Sequence, residues 1–180
     1  MHPSVDKYTK QVITKDIVKG QDVLEVGSMN VNGSIRPHIM SLSPNSYIGL
    51  DFRSGPEVNL VLDIKDLPKE QYGKYGLVAS AEALEHVEYW KKAIHKIKSA
   101  TKEGGHIFIT TRSSGFPIHG YPNDYWRFSL DDMKHIFSDC KILDLQTDWE
   151  QSGVFMLAQK PKNFKETDIS NYEIESVKSK

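Results

Sequence analysis

Apolar residues recur at helical spacing between Val5 and Lys19, at Val5, Tyr8, Val12, Ile13 and Ile17, and Gly20 stops the pattern as a C-terminal cap would. The spacing predicts an N-terminal helix. Asp22-Val23-Leu24-Glu25-Val26 follows, a short, mostly apolar run that ends at Gly27, the pattern of a buried strand feeding a turn. Tyr47-Ile48-Gly49-Leu50 closes on Asp51 and Leu60-Val61-Leu62 closes on Asp63, so two successive strands carry a carboxylate at their carboxyl ends. Tyr75 to Ala79 reads as a fourth strand. A helix from Glu88 to Ala100 puts Trp90, Ile94 and Ile97 on its core face and is marked off by Gly104-Gly105, and His106 to Thr111 is a fifth strand. Ser129 caps a helix from Leu130 to Phe137, with Asp131 and Asp132 in its first turn. Lys141 to Thr147 and Val154 to Gln159 then read as an antiparallel pair.

Strands alternating with helices predict an α/β fold, a seven-stranded, mostly parallel sheet with helices on both faces and an antiparallel final strand. Such sheets bind ligands outside the carboxyl ends of their strands. The 180 residues amount to a single domain, assigned to residues 1–160, and the polar stretch 161–180 reads as a loose tail. With 38% hydrophobic and 26% charged residues and a net charge of −1, the chain is neither a disordered polyampholyte nor a strongly basic nucleic-acid binder. No apolar run approaches the roughly 20 residues of a bilayer span. The first residues lack the order of a secretory signal and the single cysteine, Cys140, has no intrachain partner, so a cytoplasmic setting is the default.

The turn after the first strand is where open α/β sheets place a nucleotide. A dinucleotide would need G-x-G-x-x-G there, but Gly27 is followed by Ser28, Met29 and Asn30, and no Gly-Lys-Ser or Gly-Lys-Thr of a phosphate-binding loop occurs. What remains is a site for a nucleoside without phosphates. Asp51, 24 residues beyond Gly27, can accept hydrogen bonds from both ribose hydroxyls, and Asp63 from an exocyclic adenine amine. Between Arg112 and Arg127 lies an aromatic stretch punctuated by Gly and Pro, too long for a simple connection. It combines a candidate base, phenols, an aromatic face and a fixed cation in His119, Tyr121, Asp124, Tyr125, Trp126 and Arg127.

Taken together, Val23-Leu24-Glu25-Val26-Gly27, Gly49-Leu50-Asp51, Leu62-Asp63-Ile64 and Ala81-Glu82-Ala83-Leu84-Glu85-His86-Val87 resemble the class I S-adenosylmethionine-dependent methyltransferases, from about Asp22 to Gln159. The resemblance implies a Rossmann-like sheet and S-adenosyl-L-methionine as cofactor, held by Glu25, Gly27, Ser28, Asp51, Phe52, Asp63, Ile64, Ala81 and Glu82. Carboxylates near a sulfonium and an ammonium are favourable, and Glu25 and Glu82 are placed for this. Most members carry a second glycine where this chain has Met29, so the turn here is longer or differently routed, with Asn30, Asn32 and Gly33 expected to supply the flexible φ angles.

The implied reaction is transfer of a methyl group to a small molecule or glycan, in particular to a hydroxyl. His119, Asp124 and Tyr125 are then the candidate catalytic residues and Tyr121, Trp126 and Arg127 the substrate-binding ones. Each residue also has a plainer role available. Glu25 can bond the turn's amides, Asp51 and Asp63 can be turn residues, Asp124 with Arg127 can be a local ion pair, and His86 can cap or pack. Lys91, Lys92, Lys96 and Lys98 read as a solvated helix face, and with the net charge they give no basic surface for nucleic acid. Neither a metal-site spacing nor a Gly-x-Ser-x-Gly elbow is present, so no metal is expected. The alternative function is a non-catalytic nucleoside-binding module that regulates a partner. No membrane partner is expected, and the oligomeric state is left open.

Overall fold

The computed structural model describes residues 2–120 and 123–177. Its centre is the sheet that the apolar runs predict. β1 (Asp22–Val26), β2 (Ser46–Asp51), β3 (Leu60–Val61), β4 (Tyr75–Ala81), β5 (Thr101–Arg112), β7 (Lys141–Thr147) and β8 (Gly153–Gln159) lie in the order β3-β2-β1-β4-β5-β8-β7. β1 runs parallel to both β2 and β4, and β4 parallel to β5, so the carboxyl ends of these strands share one edge. β8 is inserted antiparallel between β5 and β7. The fold is the Rossmann-like α/β sheet anticipated from the sequence.

Alternate residues of the central strands feed two cores, as the twofold period of a strand requires. Leu24, Val26, Val78, Ile107 and Ile109 pack with Trp90, Ile94 and Ile97 of α4 (Trp90–Ala100) and with Met133 and Ile136 of α5 (Leu130–Ile136). Val23, Leu77, Ala79 and Phe108 pack on the other face with α1 (Pro3–Val12), α2 (Lys15–Val18) and α3 (Arg36–Ser41). The single N-terminal helix read from the spacing is thus two helices. Ile13 and Thr14 are extended between them, and burial of the Ile13 side chain holds the break.

Two further expectations are corrected by packing. The α4 lysines are only in part a solvated face: Lys92 is exposed and Lys91 meets Glu173 at 2.9 Å at the surface, but Lys98 is buried and pairs with Asp139 at 2.6 Å, and Lys96 donates to the Leu67 carbonyl and the Tyr72 hydroxyl. The segment after Pro161 is not loose through Val177. Ile169 and Ile174 are buried in the α4–α5 core, and the Tyr172 ring stacks on His135 with centroids 4.1 Å apart. Its β9 (Glu175–Ser176) pairs antiparallel with β6 (Trp126–Arg127). The tail therefore clamps the end of the long segment that follows β5.

Candidate active site

Leaving β1, the chain turns at Gly27, whose φ of +77° is the left-handed conformation that glycine adopts without steric cost. A Cβ there would come within 2.3 Å of the Ala83 Cβ, so the turn is pressed against the end of β4. The amides of Gly27 and Ser28 both donate to the Leu50 carbonyl, at 2.8 and 3.0 Å, and the Asn30 amide donates to that of Pro56. Turn amides committed inward are not a phosphate cradle. Asn30 and Asn32 do not take up the left-handed conformation expected of them, which among the turn residues falls to Gly27 and Gly33. Asn30 instead works through its side chain, accepting from the Gly33 amide at 2.9 Å and donating to Glu57 at 3.0 Å.

Along this edge the strand-end acids line up as the sequence places them. Asp51 is buried beside the turn and accepts from the Arg53 amide at 2.9 Å and the Met29 amide at 3.4 Å, while Phe52 is exposed next to it. Asp63 accepts from the Lys65 amide and also pairs with the Lys65 ammonium, capping a short 3-10 turn in which Ile64 is buried. Glu25 is buried and accepts from the Tyr47 hydroxyl at 2.7 Å. Burial pushes its pKa up to about 7, against the opposing effect of that hydrogen bond. Ser28 is buried too, and its Oγ has no hydrogen-bond partner among the described residues.

Beyond β4 the chain leaves the sheet at Ala81, and Glu82 has a left-handed φ of +54°. Its carboxylate is paired with Arg112, which is wholly buried, also pairs with Asp148 at 3.1 Å and stacks over Phe116. The single Arg112 guanidinium is thus shared between two carboxylates. Over the ends of β4 and β5 lies the second group. His119 meets Asp124 through its Nδ1 at 3.1 Å and through its backbone amide at 2.8 Å. Burial works against ionisation of Asp124, but the Arg127 hydrogen bond, the His119 amide and the nearby cations outweigh it and hold the carboxyl below its usual range. Burial, together with the charge of His86, holds His119 below the ordinary imidazole value.

Arg127 forms the local ion pair with Asp124 that the sequence offered as its plainer role. It is buried, bidentate on Asp124 at 2.6 and 2.9 Å, and donates also to the carbonyls of Phe116, Pro117 and Trp126. The Trp126 indole donates to the Val87 carbonyl, and Tyr125 receives the Val177 amide on its carbonyl. These residues hold the segment in place. Tyr121 lies outside the described residues.

Over residues 9–158 the sequence matches the family described as a methyltransferase domain. The chain belongs to that family. Its seven-stranded, mostly parallel sheet is the fold of the class I S-adenosylmethionine-dependent methyltransferases. No curated protein matches its sequence. Among solved structures, the 1,6-didemethyltoxoflavin-N1-methyltransferase of Burkholderia thailandensis, crystallised with 1,6-didemethyltoxoflavin and S-adenosylhomocysteine, is similar with a TM-score of 0.71 at 13% identity, covering 88% of this chain and 79% of that one. The N-methyltransferase NodS of Bradyrhizobium japonicum is similar with a TM-score of 0.67 at 11% identity, over 89% and 98%. A cyclase, SpnF, is similar with the same TM-score of 0.67 at 14% identity, over 87% and 81%. At these identities the likeness is one of fold.

The methyltransferase domain also brings forward residues to which the sequence assigned no chemistry. Glu85 is wholly buried next to His119, and its Oε2 accepts from the Thr111 hydroxyl at 2.9 Å. Burial raises its pKa. The rings of His86 and His119 meet edge to face with centroids 4.7 Å apart. A Glu-His pair just after a strand that ends at the ligand edge was the signal available in the sequence. Arg112 carried no such signal, since only the fold sets it between Glu82 and Asp148.

Proposed function

We propose that this methyltransferase domain transfers a methyl group from S-adenosyl-L-methionine to a hydroxyl of a small-molecule or glycan acceptor. The observation that carries the reading is the edge formed by β3, β2, β1 and β4. Asp63, Asp51, Glu25 and the Gly27 turn meet there, and the turn's Gly27, Ser28 and Asn30 amides face inward. Such an edge suits an adenosine with a cationic substituent and disfavours a pyrophosphate. The orphaned Ser28 Oγ and the remaining acceptor capacity of Asp51 fit that ligand.

When bound, the cofactor supplies a methyl group activated by its positive sulfur. The protein's own work is to hold, orient and dehydrate. Asp51 accepts from the ribose hydroxyls, Asp63 and the chain at Ile64 border the adenine, and Phe52 offers an apolar face beside them. The end of β4 at Ala81 and Glu82 closes the methionyl side, and Glu25 provides negative charge once ionised. On the acceptor side the ionised Asp124 fixes His119 with a proton on Nδ1, which leaves the Nε2 lone pair to accept the hydroxyl proton. Holding the acceptor in line accounts for most of the rate such a site can provide.

Calorimetric titration with S-adenosylhomocysteine tests the cofactor assignment. Saturable binding is expected, weakened by about 1–3 kcal/mol in Asp51→Ala through loss of a charged acceptor. Folded wild-type protein giving no heat would refute the reading, and undiminished affinity in the variant would remove Asp51 from the ribose.

A further inference from the structure

At the acceptor end, three side chains converge that the methyl transfer just described uses only in part. One ligand atom from each of Glu85, His86 and His119 lies within 4.8 Å of the other two, and Glu85 Oε1 is 4.0 Å from His119 Nε2. Glu85 Oε1 is buried and has no hydrogen-bond partner among the described residues, although the residue is fully enclosed. An enclosed carboxylate oxygen without a donor is costly, and this one faces His119 Nε2.

Both imidazoles are set up by their other nitrogen. His86 Nδ1 lies 2.8 Å from the Asn123 carbonyl, which can only accept, so Nδ1 donates there and Nε2 is the nitrogen left to face a ligand. His119 Nδ1 lies against the Asp124 carboxylate, which Arg127 holds bidentate, so its Nε2 is likewise the nitrogen left to face a ligand. A histidine anchored through Nδ1 by a carbonyl or carboxylate, with the far nitrogen free, is the arrangement that orients metal-binding imidazoles. The loop carrying His119 is seated so closely that a Cβ on Gly120 would come within 3.1 Å of the His86 ring.

We propose that Glu85, His86 and His119 form a binding site for a divalent first-row transition cation. Two imidazoles and one carboxylate favour zinc, iron, cobalt or manganese over magnesium or calcium, which prefer all-oxygen shells, and three protein ligands leave positions open for an oxygen of the acceptor. Metal–ligand bonds of about 2.1 Å put donors roughly 3–4 Å apart, so the site closes on a cation with side-chain shifts of about an ångström or less. With the cation in place His119 Nε2 is a ligand. A bound cation would instead lower the pKa of an acceptor hydroxyl placed against it, and the proton would pass to bulk water and not to the imidazole. That consequence rests on the methyltransferase reading; cation binding does not.

Metal-stripped protein titrated with Co2+ and followed by visible absorption tests the site. The expected result is saturable, one-to-one growth of ligand-field bands, with affinity at least about tenfold weaker in His119→Ala and in His86→Ala, unchanged in the surface control His95→Ala, and little competition from equimolar Mg2+. His119 is partly exposed, so its truncation leaves the core intact, and circular dichroism checks that each variant is folded. Absence of bands with folded wild-type protein, wild-type affinity in His119→Ala, or displacement of Co2+ by equimolar Mg2+ would each overturn the proposal. S-adenosylhomocysteine titrated into the same metal-free samples reads the cofactor site separately, so a failure of one assignment is distinguishable from a failure of the other.

Discussion

Glu25 shows how one residue type can be legible while its state is not. Its place two residues before Gly27 marks it as a strand-end acid, but only the packed structure seals it against the Tyr47 hydroxyl, and burial pushes its pKa up to about 7. A carboxyl raised above its unfolded value binds more protons in the native state. Its contribution to stability is therefore complete below about pH 4.5 and is lost as pH rises through about 7. A cationic ligand acts in the opposite sense, because it favours the ionised form. S-adenosylhomocysteine, which carries an ammonium, is expected to bind more tightly as pH rises through about 7, and Glu25→Gln should flatten that dependence; calorimetry across the range measures both. The turn beside it was only half readable. Met29 in place of a second glycine announces a different route, yet a sequence does not say whether an asparagine bends the backbone or bonds to it. Asn30 does the latter because Glu57 and the Gly33 amide are within its reach.

At the scale of elements, local chemistry was legible wherever the partners are close in sequence. Ser129 and Asp132 form a reciprocal capping box, Ser129 accepting the Asp132 amide at 3.1 Å and Asp132 the Ser129 amide at 2.7 Å. Replacing Ser129 by Ala should lower stability by about 1 kcal/mol, read by urea unfolding, with little change in the slope of the transition. The N-terminal break at Ile13 and Thr14 was not legible, because the periodicity continues across it and burial against the sheet decides. The tail misleads for the opposite reason. It has few apolar residues, but Ile169, Tyr172 and Ile174 suffice to seat it on α5 and to pair β9 with β6, long-range contacts that composition does not encode. By this seating the tail fastens the segment that carries His119 and Asp124.

Over the whole molecule, Arg112 ties three distant pieces together: the end of β5 that carries it, Glu82 after β4, and Asp148 in the turn from β7 to β8. Removing one partner of a buried ion pair leaves uncompensated charge, so Arg112→Met should cost about 3–5 kcal/mol in chemical denaturation. No helix among the described residues is long and apolar enough to cross a membrane. The sequence by itself determined the alternation of strands and helices, the parallel sheet, and the acids at the ends of its strands, because strand period, turn glycines and caps act over a few residues. The tertiary structure alone decided which of those acids stay available, that Arg127 is enclosed, and that Glu85, His86 and His119 meet. Those outcomes depend on burial and on contacts between segments far apart in the chain, whose energies no local pattern contains.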